Sequence, residues 1–148
     1  MKLKTNTSYY NKRINFEYFI IEQYTAGIIL NGWEVKCLDN HGGNITTSYC
    51  RLINNEMYLI NTKISPTSDH YKDKITTTEI TVDRKLLLNK SEIKKIKAHL
   101  EVKGLTCVPI SLYRNDKNLW KINIVIVKPK KLYDKRQTIK NRDLSRIK

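Results

Sequence analysis

Basic side chains interleaved with aromatic rings are the residues of this chain best equipped for chemistry: Tyr9, Tyr10, Lys12, Arg13, Phe16, Trp33, Lys36, Tyr113, Arg114, Trp120, Lys121 and Tyr133. Rings offer stacking faces to unpaired bases, and Lys or Arg neutralises phosphates, a combination suited to single-stranded and structured RNA. Overall charge points the same way. The 148 residues carry 28 Lys+Arg against 14 Asp+Glu, a formal charge of +14, and such a field draws polyanions. Catalytic combinations are lacking. Glu34 and Asp39 stand five positions apart on an expected short helix and do not share a face. His41 beside Gly42 and Gly43 fits neither a Walker nor a dinucleotide-binding pattern. Cys50 has no base beside it in sequence to make a thiolate. The cysteines Cys37, Cys50 and Cys107 are odd in number and form no CxxC pair, and His41, His70 and His99 are scattered. Neither a disulfide framework nor a metal site is indicated, and no cofactor is expected. These features describe a binding protein and give no argument for an enzyme.

The charge is concentrated at the C-terminal end. Lys128, Lys130, Lys131, Lys135, Arg136, Lys140, Arg142, Arg146 and Lys148 face only Asp134 and Asp143, a net +7 and half the total excess. Apolar residues are too few there to offset the entropy of ordering an isolated segment, so a tail disordered when free is expected. Leu132, Ile139 and Leu144 or Ile147 fall near helical spacing, and neither Pro nor Gly follows Pro129. A helix can therefore form once phosphates neutralise the self-repulsion. The expected organisation is a flexible N-terminus over 1–8, an RNA-binding body over 9–128 and the basic tail over 129–148. No apolar run approaches the ~18 to 20 residues of a membrane span, and the first residues lack a secretion signal. A soluble intracellular protein without membrane contact follows.

Strands must position most of these side chains. Phe16 to Ile21 alternates, and Ala26 to Leu30 is a short apolar run. Asn31 can cap a helix through Leu38, with Gly42 and Gly43 at its end. Ile45 to Leu52 alternates β-branched and aromatic residues, and Asn54-Asn55 suits a hairpin turn into Met57 to Asn61. Ser65 to Asp83 reads as a long loop. Lys90 to Val102 is the clearest helix: Asn89 and Glu92 have capping-box spacing, Ile93, Ile96 and Leu100 form a stripe, and Gly104 supplies the stop. Thr106 to Tyr113 and Leu119 to Val127 complete the strands, with Asn123 opposite Ile122 and Ile124 and with Val125 and Val127 leaving that second face partly apolar. A mainly β fold, closed or partly closed into a β-barrel with short flanking helices, is the predicted class.

Seven strings occur in an order and spacing that carry a resemblance: Asn11 to Arg13, Ala26 to Ile28, Gly32 to Lys36, Asn44 to Tyr49, Ile64 to Pro66, Arg84 to Asn89 and Lys131 to Arg136. From about residue 9 to the end, the chain resembles the SsrA-binding protein (SmpB) family. The resemblance implies an oligonucleotide-binding (OB) type β-barrel with a tail unstructured in solution. It implies binding to the tRNA-like domain of transfer-messenger RNA and delivery of that RNA to stalled bacterial ribosomes, for trans-translation and peptide tagging in the cytoplasm. The tail would sense the empty mRNA channel beside small-subunit rRNA. A monomer is expected.

Position by position, the resemblance gives Leu87 and Asn89 a role in holding the tRNA-like domain, Asn89 also being a helix cap. Lys12, Arg13, Lys36 and Lys85 are phosphate-contact candidates by charge and neighbourhood. In the tail, Asp134, Lys135 and Arg136 match a functionally required string, and Tyr133 stands where relatives contact rRNA. Lys131, Lys140 and Arg142 complete the ribosome-engaging set. Two departures stand out: Thr25 replaces a Glu associated with RNA binding in many relatives, and Pro129 replaces a common Gly at the junction of body and tail. A general OB-type RNA-binding or ribosomal protein and a basic nuclease are the competing classes.

Overall fold

Alternating apolar positions separated by Asn-rich turns lay the chain out as antiparallel strands. The computed structural model describes residues 7–66 and 77–130. In chain order the elements are β1 (Tyr9–Tyr10), α1 (Arg13–Glu17), β2 (Tyr18–Ile28), α2 (Gly32–Asp39), β3 (Gly43–Asn44), β4 (Tyr49–Ile53), β5 (Glu56–Ile60), β6 (Lys63–Ile64), α3 (Thr77–Ile80), β7 (Arg84–Leu87), α4 (Lys90–Leu100), β8 (Thr106–Arg114) and β9 (Trp120–Pro129). The fold is mainly β with a few helices. The large sheet runs β1-β8-β4-β5-β7-β2-β9, and β9 pairs back onto β8, so the pairings of six strands close into a circuit. β3 and β6 form a separate two-stranded ladder.

Inward residues of the circuit make the main core: Ala26, Met57, Leu59, Leu86, Leu112, Ile122, Ile124 and Ile126, with Ile96 of α4 packed against them. A second, smaller core lies outside the strands. Ile14 of α1 covers Val108, Ile110, Val125 and Val127, with Tyr18 at its margin. This explains the partly apolar second face of the last strand, because a helix covers it. Cys37, Cys50 and Cys107 are free and buried, and Cys50 and Cys107 are direct partners across β4 and β8.

Local signals act where expected. Asn54 and Asn55 adopt φ of 52° and 62° and turn β4 into β5, the left-handed pair that a two-residue hairpin needs. Both helix-start boxes form, Glu34 accepting from the Asn31 N–H at 2.7 Å and Glu92 from the Asn89 N–H at 3.0 Å. Gly104 sits at φ 90° just past α4, a conformation costly for any residue with a Cβ. Elsewhere the expected boundaries move. Phe16 belongs to α1, and β2 begins at Tyr18 and joins the two predicted pieces into one 11-residue strand with an irregularity between Ile20 and Glu22. The strand expected from Ile45 starts only at Tyr49. The Asn44 carboxamide oxygen accepts from the Thr46 N–H at 2.9 Å and from its hydroxyl at 2.7 Å, and this local turn competes with the ladder. A short helix, α3, lies within the expected loop. No helix of the described residues is long and apolar enough to cross a membrane.

Candidate nucleic-acid interface

Period-two alternation along β7 decides which residues of Arg84 to Asn89 meet solvent. Arg84 and Leu86 point inward, and Lys85 and Leu87 outward. Leu87 is 51% exposed. Its register partner on β2 is Gly27, and a Cβ added there would lie 3.3 Å from the Leu87 Cβ. The leucine therefore lies against bare backbone, and the pair forms a shallow apolar step. Asn89, two residues after Leu87, is exposed while capping α4. Its capping role is a fact of the fold; a contact with RNA would be additional.

Lys85, on the same outward row, is engaged within the protein. Its Nζ donates to Glu56 Oε1 at 3.1 Å, and the Tyr58 hydroxyl donates to Glu56 Oε2 at 3.1 Å. The Lys85 hydrogen bond, the Tyr58 hydrogen bond and the lysine's charge hold the Glu56 carboxyl below the usual carboxylate range. The same bond to Glu56, with partial desolvation, pushes the Tyr58 phenol up.

Beneath this row lies a buried ion pair. Arg84 Nε donates to Glu34 Oε2, with both side chains 2% exposed. Glu34 thus uses one oxygen on the start of α2 and the other on Arg84. The guanidinium also donates to the carbonyls of Thr62 at 2.7 Å, Ile80 at 2.9 Å and Glu79 at 3.3 Å. One arginine ties α2, α3 and the segment after β5 to β7 and sets the depth of the strand that presents Leu87. Asp39 is engaged too, accepting from Arg114 Nη2 at 2.5 Å. Neither carboxylate of the weighed catalytic pair is available, and among the described residues no group of three His, Cys, Asp or Glu could hold a metal ion.

Next to Leu87 and Gly27, the outward face of β2, β9 and β8 carries a neutral ladder. The Thr25 hydroxyl donates to the Asn123 carboxamide oxygen at 2.8 Å, and Asn123 Nδ2 donates to the Ser111 hydroxyl at 2.9 Å. Lys121 stands opposite Gly27. The sequence marks Thr25 only as a departure and does not reveal its ladder through Asn123, 98 positions away, to Ser111, which is nearer in the chain. Only the strand register brings them together.

The other candidates lie elsewhere. Lys12 precedes α1, and Arg13 opens it and pairs with Glu17 at 3.0 Å. Lys36 is exposed on α2. The body residues Lys12, Arg13, Lys36, Lys85, Leu87 and Asn89 are thus distributed over α1, α2 and the β7 segment. The stacking reading of Trp120 needs correction. It is 7% exposed, with Arg114 at 5.2 Å over its ring and Tyr9 at 6.3 Å, so its faces are occupied. Lys131, Tyr133, Asp134, Lys135, Arg136, Lys140 and Arg142 lie outside the described residues, as do residues 1–6. At the root of that segment the Lys130 N–H donates to the Glu17 carbonyl at 2.8 Å, its Nζ donates to the Asn15 carbonyl at 3.0 Å, and the ammonium stands 5.1 Å over the Phe19 ring.

Comparison with known proteins finds relatives over most of the chain. A family model described as "SmpB protein" matches residues 8–148. SsrA-binding protein from Flavobacterium johnsoniae is 44% identical over 144 residues, covering 93% of this chain and 92% of the relative. SsrA-binding protein from Ehrlichia canis is 46% identical over 138 residues, covering 93% and 91%. A solved structure described as "tmRNA-SmpB: a journey to the center of the bacterial ribosome" matches with a TM-score of 0.69 and 33% identity, covering 90% of this chain and 94% of that one. With most of its length matched by a family model and by relatives this similar, the chain belongs to the SmpB family of SsrA-binding proteins.

Proposed function

We propose that this chain binds the tRNA-like domain of transfer-messenger RNA and carries it to stalled ribosomes for trans-translation and peptide tagging. It does so as a binding protein without a catalytic group. The closed circuit of six strands serves as an OB-type β-barrel body over residues 9–128, and residues 129–148 serve as the tail that senses the empty mRNA channel on the small subunit. The body acts in the cytoplasm as a monomer. The observation that carries the reading is the Leu87 step over Gly27, with Asn89 two residues further on and Lys121 flanking it. An apolar step beside polar and cationic groups suits a folded RNA, whose sugars and bases pack while its phosphates meet lysines. Lys85, Lys36, Lys12 and Arg13 add positive potential at other points of the body. Tail residues Lys131, Tyr133, Asp134, Lys135, Arg136, Lys140 and Arg142 engage the ribosome.

Leu87→Asp tests the reading. Because the side chain is already half in solvent, the thermal transition should move by less than about 2 °C, while affinity for transfer-messenger RNA should fall at least about tenfold from the added negative charge and the lost packing. Equal affinity of the unaltered protein for unrelated structured RNAs at ~0.15 M salt would instead favour a general RNA-binding protein.

A further inference from the structure

Cys50 and Cys107 stand far apart in the chain, and the strand circuit sets them face to face. Among the described residues they are the one register pair between β4 and β8, whereas β4 pairs with β5 from Tyr49 to Ile53 and β8 with β9 from Thr106 to Arg114. Residues directly opposite in an antiparallel ladder project to the same face. Here that face is the interior: Cys50 is 5% exposed, Cys107 is fully buried, and both belong to the main core. Cβ atoms so placed lie ~4.5 to 5.5 Å apart, against ~3.5 to 4.5 Å in a disulfide. A contraction of about 1 Å therefore suffices to join the sulfurs. A ladder of many rungs would resist that contraction. This seam has a single rung, and a cleft of about 320 Å³, lined in part by Tyr49, Thr106 and Val108, borders it. Cys37 lies on α2, outside the ladder.

We propose that Cys50 and Cys107 form a thiol–disulfide site, which a small disulfide oxidant converts into a cross-strand bond that latches β4 to β8. Cys50 keeps the residual exposure and reacts first. As the seam opens locally, its thiol loses a proton and the thiolate attacks one sulfur of the oxidant, forming a mixed disulfide and expelling a small thiolate. Cys107 is deprotonated in turn and attacks the Cys50 sulfur, which expels the second small thiolate and completes the protein disulfide. The two cysteine sulfurs together lose two electrons, the oxidant's S–S bond takes them up, and the two protons end on the two small thiols. The closed seam resists this reaction. Burial, followed by the hydrogen bond and charge of Cys107, pushes the Cys50 thiol well above its ordinary range, and the thiolate is the form that attacks. Opening of the seam therefore gates the rate. The bond closes a loop of about 60 residues and takes freedom from the unfolded chain, so the oxidised protein is the more stable form.

The test is treatment of the full-length protein with oxidised glutathione, followed by intact mass, peptide mapping after alkylation of the remaining thiols, and thermal melting. The expected product has lost two hydrogens, retains no glutathione, yields a linked peptide pair holding Cys50 and Cys107, and has Cys37 alkylated. Its thermal transition should rise by roughly 5 to 10 °C, and dithiothreitol should reverse the rise. Cys107→Ser should stop at the first step with one glutathione held on Cys50, and Cys37→Ser should form the link as the unaltered protein does. Three alkylated cysteines after prolonged treatment of the unaltered protein overturn the proposal. So do a glutathione adduct that persists on it, a link that uses Cys37, and a linked protein that melts no higher than the reduced one.

Discussion

Lys85 and Glu56 show how a single side chain on the row proposed to face RNA is held by its neighbours. Lys85 stands beside Leu87 on β7, yet its ammonium is bonded to Glu56. Glu56→Gln should free it. Affinity for transfer-messenger RNA should then rise a few-fold at low salt, and the slope of log K against log salt should steepen by up to about one phosphate contact. Titrations at several salt concentrations check this. The pH dependence follows from the depressed Glu56 pKa. A lowered carboxylate pKa gives a contribution that is full above the unfolded value and lost as pH falls through the folded one. Acidification below the usual carboxylate range therefore breaks the pair and frees Lys85 in the unaltered protein, and that acid step should be missing in Glu56→Gln.

Among the elements, β7 matters most, and its position depends on the buried pair of Arg84 and Glu34. Glu34→Gln leaves the guanidinium buried without its anion, which should cost about 3 to 5 kcal/mol. The thermal transition should drop by about 10 °C or more, and RNA binding should weaken along with it. Glu34→Gln combined with Arg84→Met should recover part of the loss, because it removes the orphaned charge. Leu87→Asp should show the opposite signature, lost binding without lost stability. Calorimetry and binding measured on the same variants distinguish a residue that shapes the strand from one that meets the ligand.

On the proposed reading, the whole molecule separates its tasks along one strand. Tyr18 pairs with Pro129 at the tail root, and Gly27 pairs with Leu87 near the other end of β2. Nine residues of extended chain place these points roughly 25 to 30 Å apart. β9 runs through Pro129, whose ring fixes φ, and Lys130 is held by the Glu17 and Asn15 carbonyls. The last described residue therefore leaves the body in a set direction. Truncation after Lys130 should keep transfer-messenger RNA affinity within about twofold while abolishing peptide tagging on stalled ribosomes, because the proposed partner of the tail's cations is the ribosome. Filter binding and a tagging assay measure the two separately, and equal loss of both would contradict the division.

What the sequence by itself determined was local or collective. Asn31 with Glu34, Asn89 with Glu92, the Asn54-Asn55 turn and the Gly104 stop were readable because each depends on groups within one turn of chain. The mainly β class followed from alternation, the anionic partner from net charge, and the family from seven strings in order. Only the tertiary structure decided the rest. Arg84 was legible as a cation but not as the partner of Glu34, 50 residues away, nor was Thr25 legible as the start of a ladder through Asn123 to Ser111. Trp120 looked like a stacking surface until Tyr9 and Arg114 were found over it. Val125 and Val127 made the second face of the last strand partly apolar, and only the structure showed that α1 covers it. The physical reason is register: a strand's pattern says which residues share a face, but which residues meet across strands is set when the strands pair.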